Sequence, residues 1–154
     1  MAGNATPGNL EALYQETILE HNRRPRNFRE LLNATGHSEG TNPLCGDHIH
    51  VWARLDGDRI AEVTFQGQGC AISKASASLM TAAIAGKTRA EAEQIFERFH
   101  AMVTGKEPGD ASLGSLRALG GVSKFPIRVK CATLAWHAMK AAVEGTNDAN
   151  ISTE

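Results

Sequence analysis

The stretch His48-Ile49-His50-Val51-Trp52-Ala53-Arg54-Leu55-Asp56-Gly57-Asp58-Arg59-Ile60-Ala61-Glu62-Val63-Thr64-Phe65-Gln66 reads as a β-hairpin. From His48 to Leu55 the residues alternate. Ile49, Val51, Ala53 and Leu55 fall on one face of the strand, and His48, His50, Trp52 and Arg54 on the other. Asp56-Gly57-Asp58 is the turn, with Gly57 free to adopt positive φ. The return strand, Arg59 to Gln66, brings Ile60, Val63 and Phe65 against the first and makes a small antiparallel sheet. A polar, weakly extended run from Ala34 to Gly40 is expected as an edge strand beside it.

Just outside the two open ends of that hairpin stand Cys45, in the turn Asn42-Pro43-Leu44-Cys45-Gly46-Asp47, and Cys70, after Gln66-Gly67-Gln68-Gly69. The pairing that forms the sheet therefore gathers their backbones at one end. The third and last cysteine, Cys131, follows Phe125-Pro126 at the start of an expected helix. Turns and helix starts can bend ligands toward a common point, and their free N–H groups stabilise thiolate charge. Gly46 lets Cys45 and Asp47 face one ion, and three thiolates with one carboxylate would give the tetrahedral shell that zinc favours. Iron–sulfur clusters also want thiolates. The competing reading is that the cysteines are small buried hydrophobes.

Other polar groups compete for roles at such a site. Arg128 and Lys130 flank Cys131 and would lower thiol pKa by their charge, or simply solubilise a helix end. His48 and His50 share a strand face and could form a site of their own, but Trp52 beside them favours ordinary strand residues on an amphipathic sheet. His21, His37, His100 and His137 have no spacing that singles them out.

The rest of the chain reads mostly as helix. Residues 1–8 are expected as a disordered leader, and Leu10, Leu13, Tyr14, Ile18 and Leu19 mark a first helix that stops by Arg24, before Pro25. Its basic end complements the helix dipole. The small-residue run from Cys70 to about Ala85 suits a buried helix in close contact with its neighbours. Thr88 and Glu91 form a capping-box pattern ahead of the apolar stripe Ala92, Ile95, Phe96, Phe99 and Val103. A loop over Thr104–Gly114, a helical turn near Leu116–Leu119 and a break at Gly120-Gly121 come next. Ser123 can cap a last helix with Pro126 in its first turn and Val129, Leu134, Trp136, Met139 and Val143 along it. Residues 146–154 are expected as a disordered tail, leaving one domain over 9–145.

The totals agree with a single domain. The chain has 154 residues, 42% of them hydrophobic, and its formal net charge is −1 from 16 basic and 17 acidic side chains. Such a balance gives no overall field toward nucleic acid or an anionic membrane. No apolar run approaches the roughly 20 residues needed to span a bilayer, and Met1–Gly8 lacks the blocks of a signal peptide, so the expected location is the cytoplasm. In a reducing compartment, an odd number of separated cysteines favours metal or thiol chemistry over disulfides.

Three stretches together carry a family likeness. Pro43-Leu44-Cys45-Gly46-Asp47, Gly67-Gln68-Gly69-Cys70-Ala71-Ile72-Ser73 and Val122-Ser123-Lys124-Phe125-Pro126-Ile127-Arg128-Val129-Lys130-Cys131-Ala132-Thr133-Leu134 resemble the IscU/SufU (NifU N-terminal-like) iron–sulfur assembly family, from about Leu10 to Gly145. The resemblance implies an α+β fold with a small antiparallel sheet of about three strands packed against several helices, a site of Cys45, Asp47, Cys70 and Cys131, and work beside a cysteine desulfurase that uses pyridoxal phosphate. Where the IscU branch has histidine before the last cysteine, this chain has Lys130. The Leu-Pro-Pro-Val-Lys chaperone motif is replaced by Phe125-Pro126-Ile127-Arg128-Val129-Lys130, and there is an extra loop near Thr104–Gly114. These features resemble the SufU branch. They imply a zinc-bound acceptor of persulfide sulfur, with Cys45 as the acceptor, ahead of the alternative, a scaffold that assembles a transient [2Fe-2S] cluster on the same ligands and passes it to apoproteins.

Overall fold

The computed structural model describes residues 7–145 and 147–152. Helix α1 spans Pro7–Arg23, then strands β1 (Gly36–Asn42), β2 (Asp47–Asp56) and β3 (Arg59–Gln68) precede helices α2 (Ala71–Ile84) and α3 (Arg89–Val103). A 3₁₀ segment (Ala111–Lys124), helix α4 (Pro126–Val143) and strand β4 (Asn147–Ser152) complete the order. The fold class is α+β, as the sequence predicts.

The hairpin forms as expected. β2 pairs antiparallel with β3, with His48 opposite Gln68 and Asp56 opposite Arg59, and Gly57 turns the chain at φ 63°. On β2, Ile49, Val51 and Ala53 are buried and the intervening residues are half-buried, so the alternation seen in the sequence is the alternation of the sheet's two faces. Leu55 departs from the pattern and is only partly buried, beyond an irregularity in the β2–β3 register between Arg54 and Leu55.

Two expectations about the sheet are corrected. β1 is not an edge, because its other side is occupied by β4 in parallel pairing, and the sheet has four strands in the order β3-β2-β1-β4. Residues 147–152, expected as disordered tail, form that fourth strand. Backbone pairing to β1 supplies what the polar sequence lacks. At the other end, Pro7 and Gly8 belong to α1 and not to a leader, while residues 1–6 lie outside the described residues.

The helices cover the inner face of the sheet. α4 lies on β1 closely enough that Gly36 faces the Ala142 backbone and Gly40 faces Leu134 and Ala138. The small residues of α2 work as predicted: buried Ser76 donates to the Ala132 carbonyl at 2.6 Å and accepts from Trp136 Nε1 at 3.1 Å, joining α2 to α4. Phe99 of α3 stacks on Trp136 at 4.5 Å, and one apolar cluster runs through sheet and helices. α3 opens with the expected capping box between Thr88 and Glu91.

The segment before α4 differs from its reading. Residues 111–124 continue as 3₁₀ turns through Gly120-Gly121, kinked at Gly114, and bury Leu113, Leu116, Leu119 and Val122. Ser123 does not cap α4. Its hydroxyl meets the Gly120 carbonyl at 3.4 Å, and Phe125 occupies the N-cap position without a side-chain hydrogen bond.

Candidate metal centre

Three chain segments deliver the thiols to one end of the sheet. The β1–β2 connection is a tight turn in which the Cys45 N–H donates to the Asn42 carbonyl at 3.1 Å. Gly46 follows at φ 71°, which sends Asp47 into the first inward position of β2. Cys70 is the N-cap of α2, its sulfur accepting the Ser73 N–H at 3.5 Å. Cys131, in the second turn of α4, is fully buried.

Cys45 Sγ, a carboxylate oxygen of Asp47 and Cys131 Sγ all lie within 4.8 Å of one another. The two sulfurs are 3.0 Å apart. The Cys70 sulfur is not within that mutual 4.8 Å; its backbone N–H binds the Asp47 carboxylate and its side chain lines the same groove as Cys45. Asp47 is 2% exposed, and its two oxygens differ: Oδ1 accepts the Cys70 N–H at 2.8 Å, while Oδ2 is buried with no hydrogen-bond partner. A buried carboxylate oxygen left so is costly, and a cation among the thiols would satisfy it. The donors fit a thiophilic ion for that reason and because three sulfurs and one oxygen are the ligand types zinc and iron accept.

The electrostatics lead to the same fit. Burial pushes the Cys131 thiol well above its ordinary pKa, and the neighbouring Cys45, Asp47 and Cys70 push further the same way. Without a cation the Cys131 thiol therefore holds its proton, and an ion must displace it. Two groups lean the other way. Asn42 Nδ2 donates to Cys131 Sγ at 3.4 Å, and exposed Arg128 places its guanidinium 3.7 Å from Cys45 Sγ. Hydrogen bonding to Cys131 and the closeness of the cysteine sulfurs raise the Arg128 pKa. Of the two flanking cations, Arg128 meets the thiols; Lys130 is half-buried on the same helix.

Two contributors escaped the sequence reading. Asn42 sits inside the quoted turn, but its amide looked like turn chemistry. Gly69 has ordinary φ, and its signal is space: a Cβ there would overlap the Asp47 carboxylate. The histidines have partners other than the thiols: His37, His48 and His50 gather near Glu39, His21 is 2.7 Å from the Ser78 hydroxyl, and His100 and His137 pack around Phe96. An open groove of about 620 Å³ runs beside Cys45 and Cys70 between Leu44 and Lys124–Arg128. Leu44, Phe125 and Ile127 are 62%, 60% and 59% exposed on its rim.

Known proteins share this architecture. The zinc-dependent sulfurtransferase SufU of Bacillus subtilis (strain 168) is 46% identical over 143 residues, covering 90% of this chain and 97% of the relative. The iron–sulfur cluster assembly scaffold protein IscU of Streptococcus pyogenes serotype M1 is 40% identical over 146 residues, covering 94% and 91%. A crystal structure from Fervidobacterium islandicum AW-1, described as a candidate iron–sulfur cluster assembly scaffold protein for the SUF system, superposes with a TM-score of 0.79 at 36% identity, covering 86% and 98%. The sequence model of the NifU-like N terminal domain matches residues 13–150, and the chain belongs to that family.

Proposed function

We propose that this protein is a sulfur acceptor in iron–sulfur cluster assembly that holds Zn2+ on Cys45, Asp47, Cys70 and Cys131 and takes sulfur from a pyridoxal-phosphate-dependent, SufS-like cysteine desulfurase in the cytoplasm. The observation that carries the reading is the convergence of Cys45, Asp47 and Cys131 around a buried, unpartnered carboxylate oxygen, with Cys70 beside them. Bound zinc supplies ionised, protected thiolates.

Cys45 is the acceptor. It lies in a turn at the groove, half-exposed, whereas Cys131 is fully buried in α4 and Cys70 caps a helix. Zn2+ held by Cys45, Asp47, Cys70 and Cys131 would keep the sulfurs ionised, and the Cys45 thiolate attacks the outer sulfur of the desulfurase persulfide. A new S–S bond forms on Cys45, the S–S bond on the desulfurase breaks, and the desulfurase cysteine departs as thiolate, so no external oxidant or reductant enters. Arg128, beside Cys45, favours the anionic persulfide that results. The groove admits the persulfide-bearing segment. Downstream assembly proteins or apoproteins receive the sulfur.

A desulfurase assay with the zinc-loaded protein tests this. Turnover should rise on its addition, and labelled sulfur should appear on Cys45; a Cys45→Ala variant that stimulates and takes up label normally overturns the choice of acceptor. The second reading, a scaffold for a transient [2Fe-2S] cluster, uses the same donors and is favoured by the similarity to the Streptococcus relative named as a scaffold. Anaerobic purification separates the two, since the cluster absorbs visible light and zinc does not.

A further inference from the structure

The outer face of the sheet carries a second convergence of ligand atoms, made of different chemistry. Glu39 on β1 stands directly opposite His50 on β2, and His48 lies one step along the same face. The Glu39 carboxylate touches His48 Nε2, and the same oxygen is 3.8 Å from His50 Nε2. The three ligand atoms lie within 4.8 Å of one another, and all three residues are half-buried. We infer that Glu39, His48 and His50 form a second metal site, one for an exchangeable divalent ion of the zinc class, on the face of the sheet opposite the thiols.

The surroundings orient these ligands. His37 Nε2 is 3.1 Å from His50 Nδ1, and their rings stack at 5.3 Å. Trp52 stacks on both rings, at 5.0 Å from His37 and 5.7 Å from His50. With a proton on His50 Nδ1 donated to His37, His50 Nε2 presents its lone pair toward Glu39, which is the tautomer a metal needs. Two imidazoles and one carboxylate, with the remaining positions open to water, suit borderline late first-row ions. None of these residues belongs to the buried apolar cluster. Partial exposure and the single formal charge make the site weaker and faster-exchanging than a thiolate pocket. Asp47 and His48 are neighbours on β2 with opposite orientations, so the two sites sit back to back across one strand end. The inference does not depend on the sulfur-acceptor reading.

Equilibrium dialysis against buffered free Zn2+ tests it, comparing wild type with His48→Gln/His50→Gln and with Glu39→Gln. About two equivalents should bind the wild type and about one the double variant, with Glu39→Gln weakening the second site at least tenfold. Co2+ identifies which site is lost: the intense thiolate-to-cobalt band should be unchanged in the double variant, while the equivalent without that band disappears. Equal stoichiometry in wild type and double variant means that Glu39 and the histidines make only an ion pair, and overturns the inference. If the thiolate pocket instead takes no metal, the wild type lacks the cobalt–thiolate band and still loses one equivalent on His48/His50 substitution, so the two failures are distinguishable.

Discussion

Gly69 shows how a residue with no functional group can govern a metal site. The Asp47 carboxylate occupies the space a side chain at 69 would take, and the next residue's N–H holds its Oδ1. Gly69→Ala should displace that carboxylate and lower zinc affinity about 10–100-fold, the usual scale for disturbing a ligand's support, as measured by competition with a chromophoric chelator. Asn42→Ala should act more gently on the same readout, because it removes one donor to Cys131 and leaves all candidate ligands in place. The thiols and Asp47 were legible in the sequence because cysteine and a Cys-Gly-Asp turn are chemically distinctive. Gly69 and Asn42 were not, since close approach and a hydrogen bond to sulfur exist only once β2 and α4 are packed. His37 was hidden for the same reason: the strand register that sets it opposite Trp52 is not visible in spacing.

At the scale of elements, the best-read pieces are those whose local signals agree with their packing. The capping box is one: Thr88 accepts from the Glu91 N–H at 3.1 Å, and Glu91 accepts from the Thr88 N–H at 2.9 Å. Thr88→Ala should cost about 1 kcal/mol in urea unfolding. The hairpin and the small-residue helix were legible in the same way, through alternation and composition. The 3₁₀ segment was not, because its glycines read as breaks although tight i→i+3 turns accommodate them. β4 was missed because Asn147-Asp148-Ala149-Asn150-Ile151-Ser152 has no strand-like alternation, and its order comes from backbone pairing with β1. Removing residues 147–154 should therefore leave the site intact but reopen β1 as an edge. Loss of about 1–3 kcal/mol of stability is expected by urea titration, with faster amide exchange in β1.

For the molecule as a whole, pH should act through histidines away from the thiols. Burial, followed by the charges of His100 and Lys140, lowers the His137 pKa below 6.5, and burial with Arg26 beside it does the same to His21. The unfolded chain then binds protons that the folded chain refuses, so stability is full above about pH 6.5 and declines as pH falls toward the depressed values. Urea midpoints of metal-free protein should drop between about pH 7.5 and 5.5, and His137→Gln should flatten the decline. The sulfurs come from a turn, a helix cap and a helix interior that are remote in sequence. An ion gripped by all of them ties off two long loops at once, shrinking the freedom of the denatured chain as a knot shortens a rope. Demetallation should thus be felt globally, as a lower melting temperature and faster proteolysis well away from the pocket, even where every contact outside it is preserved.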